Sequence, residues 1–317
     1  MDHHKNTESQ LATASEFKYA GGPLEDYLPG WRDRSNDVQA SHGGHGVDEI
    51  LAVVSVLSSA GIPSCVVGVR ALYYYGAARL TDEWDLCVPD AQLQAAQELL
   101  LSSVPASAPP ATSLTPSSPT FPSPTCPSSI PSSVPSTPSI YEQARPPPPI
   151  PDSLRHSFPC LKISGVDFYV ILVPSSDCLV DPSDPTHVER SGSGVPYASL
   201  IQFAKCLLVQ RLWADIQDFI DGMNLDVDWG LQNLDFPALQ QQSAEFAELR
   251  NKRLEENTGT RGHLGTKIDM EQIWRKQASP EAKGKRIEPM KQGRYITRWR
   301  RVRDRDSDPR TRQGRPV

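Results

Sequence analysis

Glu83 and Asp85 stand one strand period apart in Glu83-Trp84-Asp85-Leu86, and Gly68 precedes them in the run CVVGVR. Two acids at i and i+2 on a strand face the same side, with Cα atoms about 6–7 Å apart, close enough to share one hard cation. A glycine ahead of a short helix lets backbone N–H groups approach an anion at the positive helix end. These residue types at this spacing describe a site for a divalent metal and a phosphate. Taken alone, two such acids are more often a solvated strand face.

The elements that must position these residues can be read on either side. Ser64 to Val67 is a short β-branched run, expected to be a buried strand, and Arg70 to Tyr75 fits one or two helical turns. Leu80 to Val88 predicts a second strand, with Glu83, Asp85 and Cys87 on one face and Trp84, Leu86 and Val88 on the other. Upstream, Ile50, Val53, Val54 and Leu57 recur at helical spacing behind Asp48 and Glu49, and Gly61 and Pro63 stop the helix. Downstream, Asp90 is expected to cap a helix whose stripe is Leu93, Ala96, Leu99 and Leu100. PCLKISGVDFYVILVP predicts two strands about the Ser164-Gly165 turn, with Asp167 as one acid in a hydrophobic run. From Tyr197 the period is helical again. Leu200, Phe203, Leu207, Leu208, Leu212, Ile216, Phe219 and Ile220 form one long apolar face, punctuated by Lys205, Arg211, Asp215 and Asp218. A further helix is expected over 234–256, opening near Pro237.

Composition limits how much of the chain can pack. The 317 residues are 38% hydrophobic and include 30 prolines, so one core of medium size is expected, flanked and interrupted by disorder. Sixteen prolines fall in 104–151, a serine-rich segment almost without charge that reads as an insert. Within it, Arg145-Pro-Pro-Pro-Pro-Ile-Pro151 has the spacing that SH3-type partners read, as does any tetraproline beside an arginine. The net charge of -6 hides a basic stretch over 281–317, where Tyr295 and Trp299 interleave with arginines. Such a stretch suits nucleic-acid contact, a nuclear-import signal or a solvated tail. The expected organisation is a disordered 1–46, a core of 47–103 plus 152–235, the insert, and a helix with a largely disordered basic tail over 236–317. No CxxC pair occurs, and no apolar run approaches about 20 residues. The reading is a soluble, reduced, cytoplasmic or nuclear protein without a membrane segment. His42 and His45 in SHGGHG fit a flexible segment better than a metal site. Tyr73, Tyr74 and Tyr75 could stack on a base, although packing is the commoner use of such residues.

Gly68-Val69, thirteen residues, then Glu83-Trp84-Asp85-Leu86 resembles the signature of the nucleotidyltransferase (polymerase-beta-like) superfamily. That signature has a glycine followed by Gly or Ser, a spacer, two acids alternating with hydrophobic residues, and a third acid on a later strand. Asp167 in VDFYV stands where the third acid is expected. The resemblance covers roughly 47–103 and 152–222, and the chain as a whole is similar to proteins of filamentous fungi. It implies an α/β (α+β) fold: a small mixed sheet with helices packed on it. It also implies Mg²⁺-dependent transfer of a nucleoside monophosphate from NTP to a hydroxyl acceptor. Glu83, Asp85 and Asp167 would hold Mg²⁺, Gly68, Val69 and Arg70 would cradle phosphate, and Lys205 could reach a phosphate or extend to solvent. Val69 departs from the Gly or Ser of the signature, and Glu83 from its commoner Asp. The alternatives are a catalytically lapsed copy that works as a binding or scaffold protein, and nucleic-acid binding through 281–317.

Overall fold

The β-branched and aromatic runs of the sequence become the centre of a mixed sheet. The computed structural model describes residues 37–77, 79, 81, 83–102, 139–147, 153–259, 265, 268–291 and 308–311. The strands are β1 (Val38–Gln39), β2 (Cys65–Val67), β3 (Glu83–Val88), β4 (Tyr141–Gln143), β5 (Cys160–Ile163), β6 (Val166–Asp167), β7 (Tyr169–Pro174), β8 (Val188–Arg190) and β9 (Pro196–Ala198). Seven of them form one sheet in the order β4-β5-β7-β3-β2-β9-β8, while β1 and β6 form a separate parallel pair. β3 runs parallel to β7 and antiparallel to β2, so the strand of Glu83 and Asp85 is central. The helices are α1 (Val47–Ser59), α2 (Gly68–Tyr74), α3 (Leu93–Ser102), α4 (Ser175–Cys178), α5 (Leu200–Val209), α6 (Trp213–Met223), α7 (Val227–Asn233), α8 (Phe236–Thr258), α9 (Met270–Ala278) and α10 (Pro280–Lys291). The fold is the mixed α/β class that the sequence suggests, a seven-stranded sheet with helices packed on it.

Alternation on β3 governs which helices meet which face. Cys87 Sγ touches Cys178 Sγ on α4 at 2.9 Å, whereas the Trp84 indole donates to His45 O at 3.1 Å just ahead of α1. Cys65 lies opposite Cys87 in register, and all five cysteines of the described residues are buried and outside any disulfide. Behind α2 an aromatic group fills the interior. Tyr75 is fully buried, donates to Ala198 O at 2.5 Å, and packs with Phe203 and Phe219. Tyr74 stacks on Tyr197 at 4.1 Å, and Tyr73 stacks on His45. All three tyrosines are thus spent on ring contacts within the fold.

Four expectations change on contact with the structure. The end of the proline-rich segment contributes the edge strand β4, antiparallel to β5, since its Tyr-Glu-Gln run offers a backbone ladder that the prolines cannot. Ser139 Oγ donates to Leu100 O at 3.2 Å and Gln97 Nε2 to Gln143 Oε1 at 2.8 Å, so the strand returns beside the end of α3. Asp90 starts a short 3-10 turn instead of capping its own helix. Its carboxylate accepts from Ser175 Oγ and Ser176 N, at 2.9 and 2.8 Å, and so caps α4. The single long helix expected after Tyr197 is two helices, broken at Arg211, whose φ of 60° takes the chain into the left-handed region. Finally, order extends to either side of the expected core, to β1 before it and to α9 and α10 after it. Of the expected insert, 104–138 and 148–151 lie outside the described residues, as do 1–36 and 292–307. Most of the Arg145–Pro151 motif is therefore among them.

The C-terminal helices are tied to the core by apolar and ionic contacts. Trp274 of α9 is fully buried against Gly230 of α7, which leaves no room for a Cβ there. Arg286 of α10 donates from Nε and Nη2 to the two carboxylate oxygens of Asp221 on α6, at 2.5 and 2.6 Å, with both residues buried. Burial pushes the Asp221 carboxyl upward, and Arg286 only partly offsets this. Replacing one member of such a pair strands the other charge. Arg286→Ala is expected to lower unfolding free energy by about 3–5 kcal/mol. Most of that loss should return in the double variant Asp221→Asn/Arg286→Met, as read by urea denaturation.

Candidate functional site

The three acids and the glycine turn can now be placed one by one. Gly68 opens α2 with φ of 65°, and a Cβ built there would fall on Asp85 Oδ2. Glycine is required twice over at this position: for its backbone angle and for the space that the Asp85 carboxylate occupies. β2 and β3 impose this contact, because Val67 lies directly opposite Asp85 in their antiparallel register. Spacing between a glycine turn and an acid is thus converted into a packing contact.

Glu83 and Asp85 do come together, on one face of β3, and what joins them is an arginine. Arg155 Nη1 lies 2.5 Å from Glu83 Oε2. Arg155 Nε and Nη2 donate to Asp85 Oδ1 at 3.2 and 2.6 Å. The acid side chains are 6% and 14% exposed and the arginine 33%, so the group is largely withdrawn from water. Burial pulls the guanidinium toward neutrality, but the charges of Asp85 and Glu83 outweigh that and hold it above its ordinary range. Across the sheet, Cys160, Ile171 and Asp85 lie in one row through β5, β7 and β3. Arg155 sits five positions before Cys160 on a 3-10 turn over Arg155–Ser157, which brings its side chain back over that row. Ser153 Oγ accepts from Arg155 N at 3.2 Å, and Ser157 Oγ donates to Leu154 O at 2.6 Å, fixing the turn.

Asp167 takes a different position from the one its strand suggested. It belongs to β6, paired with Gln39 of β1, and Phe168 N donates to Val166 O in a tight turn that separates it from β7. Tyr169, not Asp167, is the residue in register with Glu83. Among the described residues, no group of three or more His, Cys, Asp or Glu side chains is arranged to hold a metal ion. The donor set therefore does not fit Mg²⁺ as it stands, since two carboxylates are engaged by a guanidinium and the third acid is not gathered with them.

The expected phosphate ligands are likewise dispersed. Arg70 is buried with its guanidinium 4.9 Å from the centre of the Trp84 ring, on the face of β3 opposite Glu83 and Asp85. Its Nη1 lies 3.4 Å from His45 Nδ1. Val69 is half-buried in the first turn of α2. Lys205 is half-buried on α5, without an ion pair among the described residues. Arg155 is the residue that sequence reasoning missed. The available signal was electrostatic: two acids on a strand this apolar require a cation, and Arg155 supplies it from the segment between β4 and β5.

The basic stretch is partly accounted for. Arg286 is held by Asp221, Lys285 lies 2.7 Å from Glu281, and Arg310 contacts Asp308 and Glu189. Two ionic links also join α6 to the loop before β3, where Arg79 Nη1 and Nε lie 2.5 and 2.6 Å from Asp215 and Asp218.

Two outcomes follow from this geometry. Gly68→Ala is expected to lower stability by roughly 1–3 kcal/mol, from the strained backbone angle and the displaced carboxylate, as measured by thermal or urea denaturation. His45, held below its ordinary pKa of 6.5 first by burial and then by Arg70 and His42, favours the folded state only while neutral. Its contribution is complete above pH 6.5 and is lost as the pH falls below that value. A pH series of unfolding midpoints should show this loss in the native chain and lack it in His45→Phe. Set beside known proteins, the chain matches no family model and no curated protein.

Proposed function

We propose that this chain is a nucleotidyltransferase-like binding or scaffold protein in which Arg155 supplies the positive charge that a metal would bring to Glu83 and Asp85. The observation that supports this reading is the bridge from one guanidinium to both carboxylates. A transferase needs its acids open to Mg²⁺ and a third ligand nearby. Here both acids are engaged by one guanidinium, and the space beside Gly68 is filled by Asp85. On this reading the acid pair has become structural, and its role is to fix the segment between β4 and β5 on the sheet. Partner contacts then fall to other parts of the chain, with the proline-rich segment 104–151 and the basic stretch 281–317 as the candidates in sequence. Nucleotidyl transfer from NTP is the competing reading, in which Arg155 would have to be displaced from the pair.

Substituting Arg155 separates the two. Arg155→Gln is expected to lower unfolding free energy by about 3 kcal/mol, at the low end for a broken buried pair because the arginine is one-third exposed. Neither the native chain nor the variant should then bind MgATP or MgGTP in equilibrium dialysis. Saturable Mg²⁺-dependent NTP binding by the native chain, abolished by Glu83→Gln or Asp85→Asn, would overturn the binding-protein reading in favour of nucleotidyl transfer. So would its appearance in the folded Arg155→Gln variant.

A further inference from the structure

We propose that the cavity beside the junction of α5 and α6 binds a small organic anion, with Arg211 as the group that recognises its charge. The cavity has a volume of about 620 Å³ and is bounded by Arg211, the first two turns of α8 and the start of α9. That volume is in the range of sites for small molecules, which are mostly apolar with a few fixed polar groups. Phe236, Pro237 and Met270 supply the apolar wall, and Gln240 adds an amide.

Arg211 is the unusual member of the wall. It occupies the left-handed backbone conformation that breaks the long helix, a conformation that residues with side chains adopt rarely. Its Nε donates to Ser243 Oγ at 3.0 Å, and the Ser243 hydroxyl donates in turn to Val209 O at 3.0 Å. Ser243 is 1% exposed, so this chain of hydrogen bonds anchors one edge of the guanidinium inside the protein. Among the described residues no carboxylate pairs with Arg211. By contrast Arg79, Arg155, Arg286 and Arg310 each meet at least one. Burial without a countercharge holds Arg211 below its ordinary range.

Two acids also line the cavity, and both are engaged elsewhere. The Asp269 carboxylate accepts from Gln272 N at 2.9 Å as the cap of α9, and Glu271 lies 2.7 Å from Arg275 one turn along. A guanidinium fixed at one edge leaves its Nη groups to meet a planar or tetrahedral oxyanion through paired hydrogen bonds. The apolar wall calls for a hydrocarbon body behind that head group. The ligand class is therefore a small amphiphile with one carboxylate or phosphate head.

Isothermal titration of the full chain with octanoate, octyl phosphate, inorganic phosphate and octanol tests this. Saturable binding of octanoate or octyl phosphate is expected, with octanol at least about tenfold weaker, the loss that removing a charge-assisted hydrogen bond brings. The stronger of the two anions identifies the head group, and binding of inorganic phosphate alone would mean a plain anion site without a body pocket, against the proposal. Arg211→Gln should weaken binding about tenfold or more, as should Ala244→Trp, which adds bulk at an exposed position of the wall without touching the charge. Arg211→Lys keeps the charge without the fork and should give an intermediate affinity, so that a misfolded glutamine variant does not end the test. Saturable binding by none of the four compounds, or octanoate and octyl phosphate binding unchanged by every Arg211 substitution, would overturn the proposal.

Discussion

Two carboxylates on one face of a central β-strand cannot be buried by strand pairing alone. Each ion withdrawn from water costs several kcal/mol unless a countercharge and hydrogen bonds replace its hydration. In this protein a single guanidinium serves both, and much of the surrounding structure follows from that need. β5 must lie next to β7, and β7 next to β3, for the turn at Arg155 to arrive over Glu83 and Asp85. Position 68 must be glycine, because the Asp85 carboxylate fills the space where a side chain would begin. The same residues that suggest a metal site in the sequence are thus joined by one guanidinium.

Arginine clamps recur away from this unit, each fastening a peripheral segment to a helix or to the edge of the sheet. Arg79 links the loop before β3 to Asp215 and Asp218 of α6, and Arg286 locks α10 onto Asp221 of the same helix. Arg310 brings a short C-terminal turn against Glu189. α6 is thus an acidic post for two separate stretches of chain. These pairs contribute less to net stability than their geometry suggests, since desolvation offsets the attraction. Their effect is on placement: a bidentate fork accepts one approach direction. Arg211 follows neither pattern, being anchored by a serine and meeting no carboxylate among the described residues.

Much of this was legible in the sequence for a simple reason. Period-two alternation in Glu83 to Val88 and period-3.6 spacing from Ile50 to Leu57 report local burial, and local burial decides which face of an element turns inward. The central strands, the first helix, the cysteines outside any disulfide and the mixed class all follow from such short-range signals. The break at Arg211 was hidden because the apolar spacing from Leu200 to Ile220 continues across it. Asp167 misled because alternation in VDFYV assumes an unbroken strand, and the turn at Phe168 resets it. Arg155 was invisible for a further reason. Its role depends on a sheet order that brings residues 70 positions apart in sequence into contact, and no periodicity encodes that.

Ser139 returns to the main chain of Leu100 by a hydrogen bond, and Gln97 meets Gln143, so the chain leaves and re-enters the sheet region at neighbouring points. Closing a loop between two points already held together costs only about 0.6 kcal/mol for each doubling of its length. The length of the intervening segment is therefore almost decoupled from the stability of the sheet. Evolution can extend or shorten it, and an engineer can open the chain there to create new termini or to graft in a whole folded module, while Arg155 and the strands behind it keep their register.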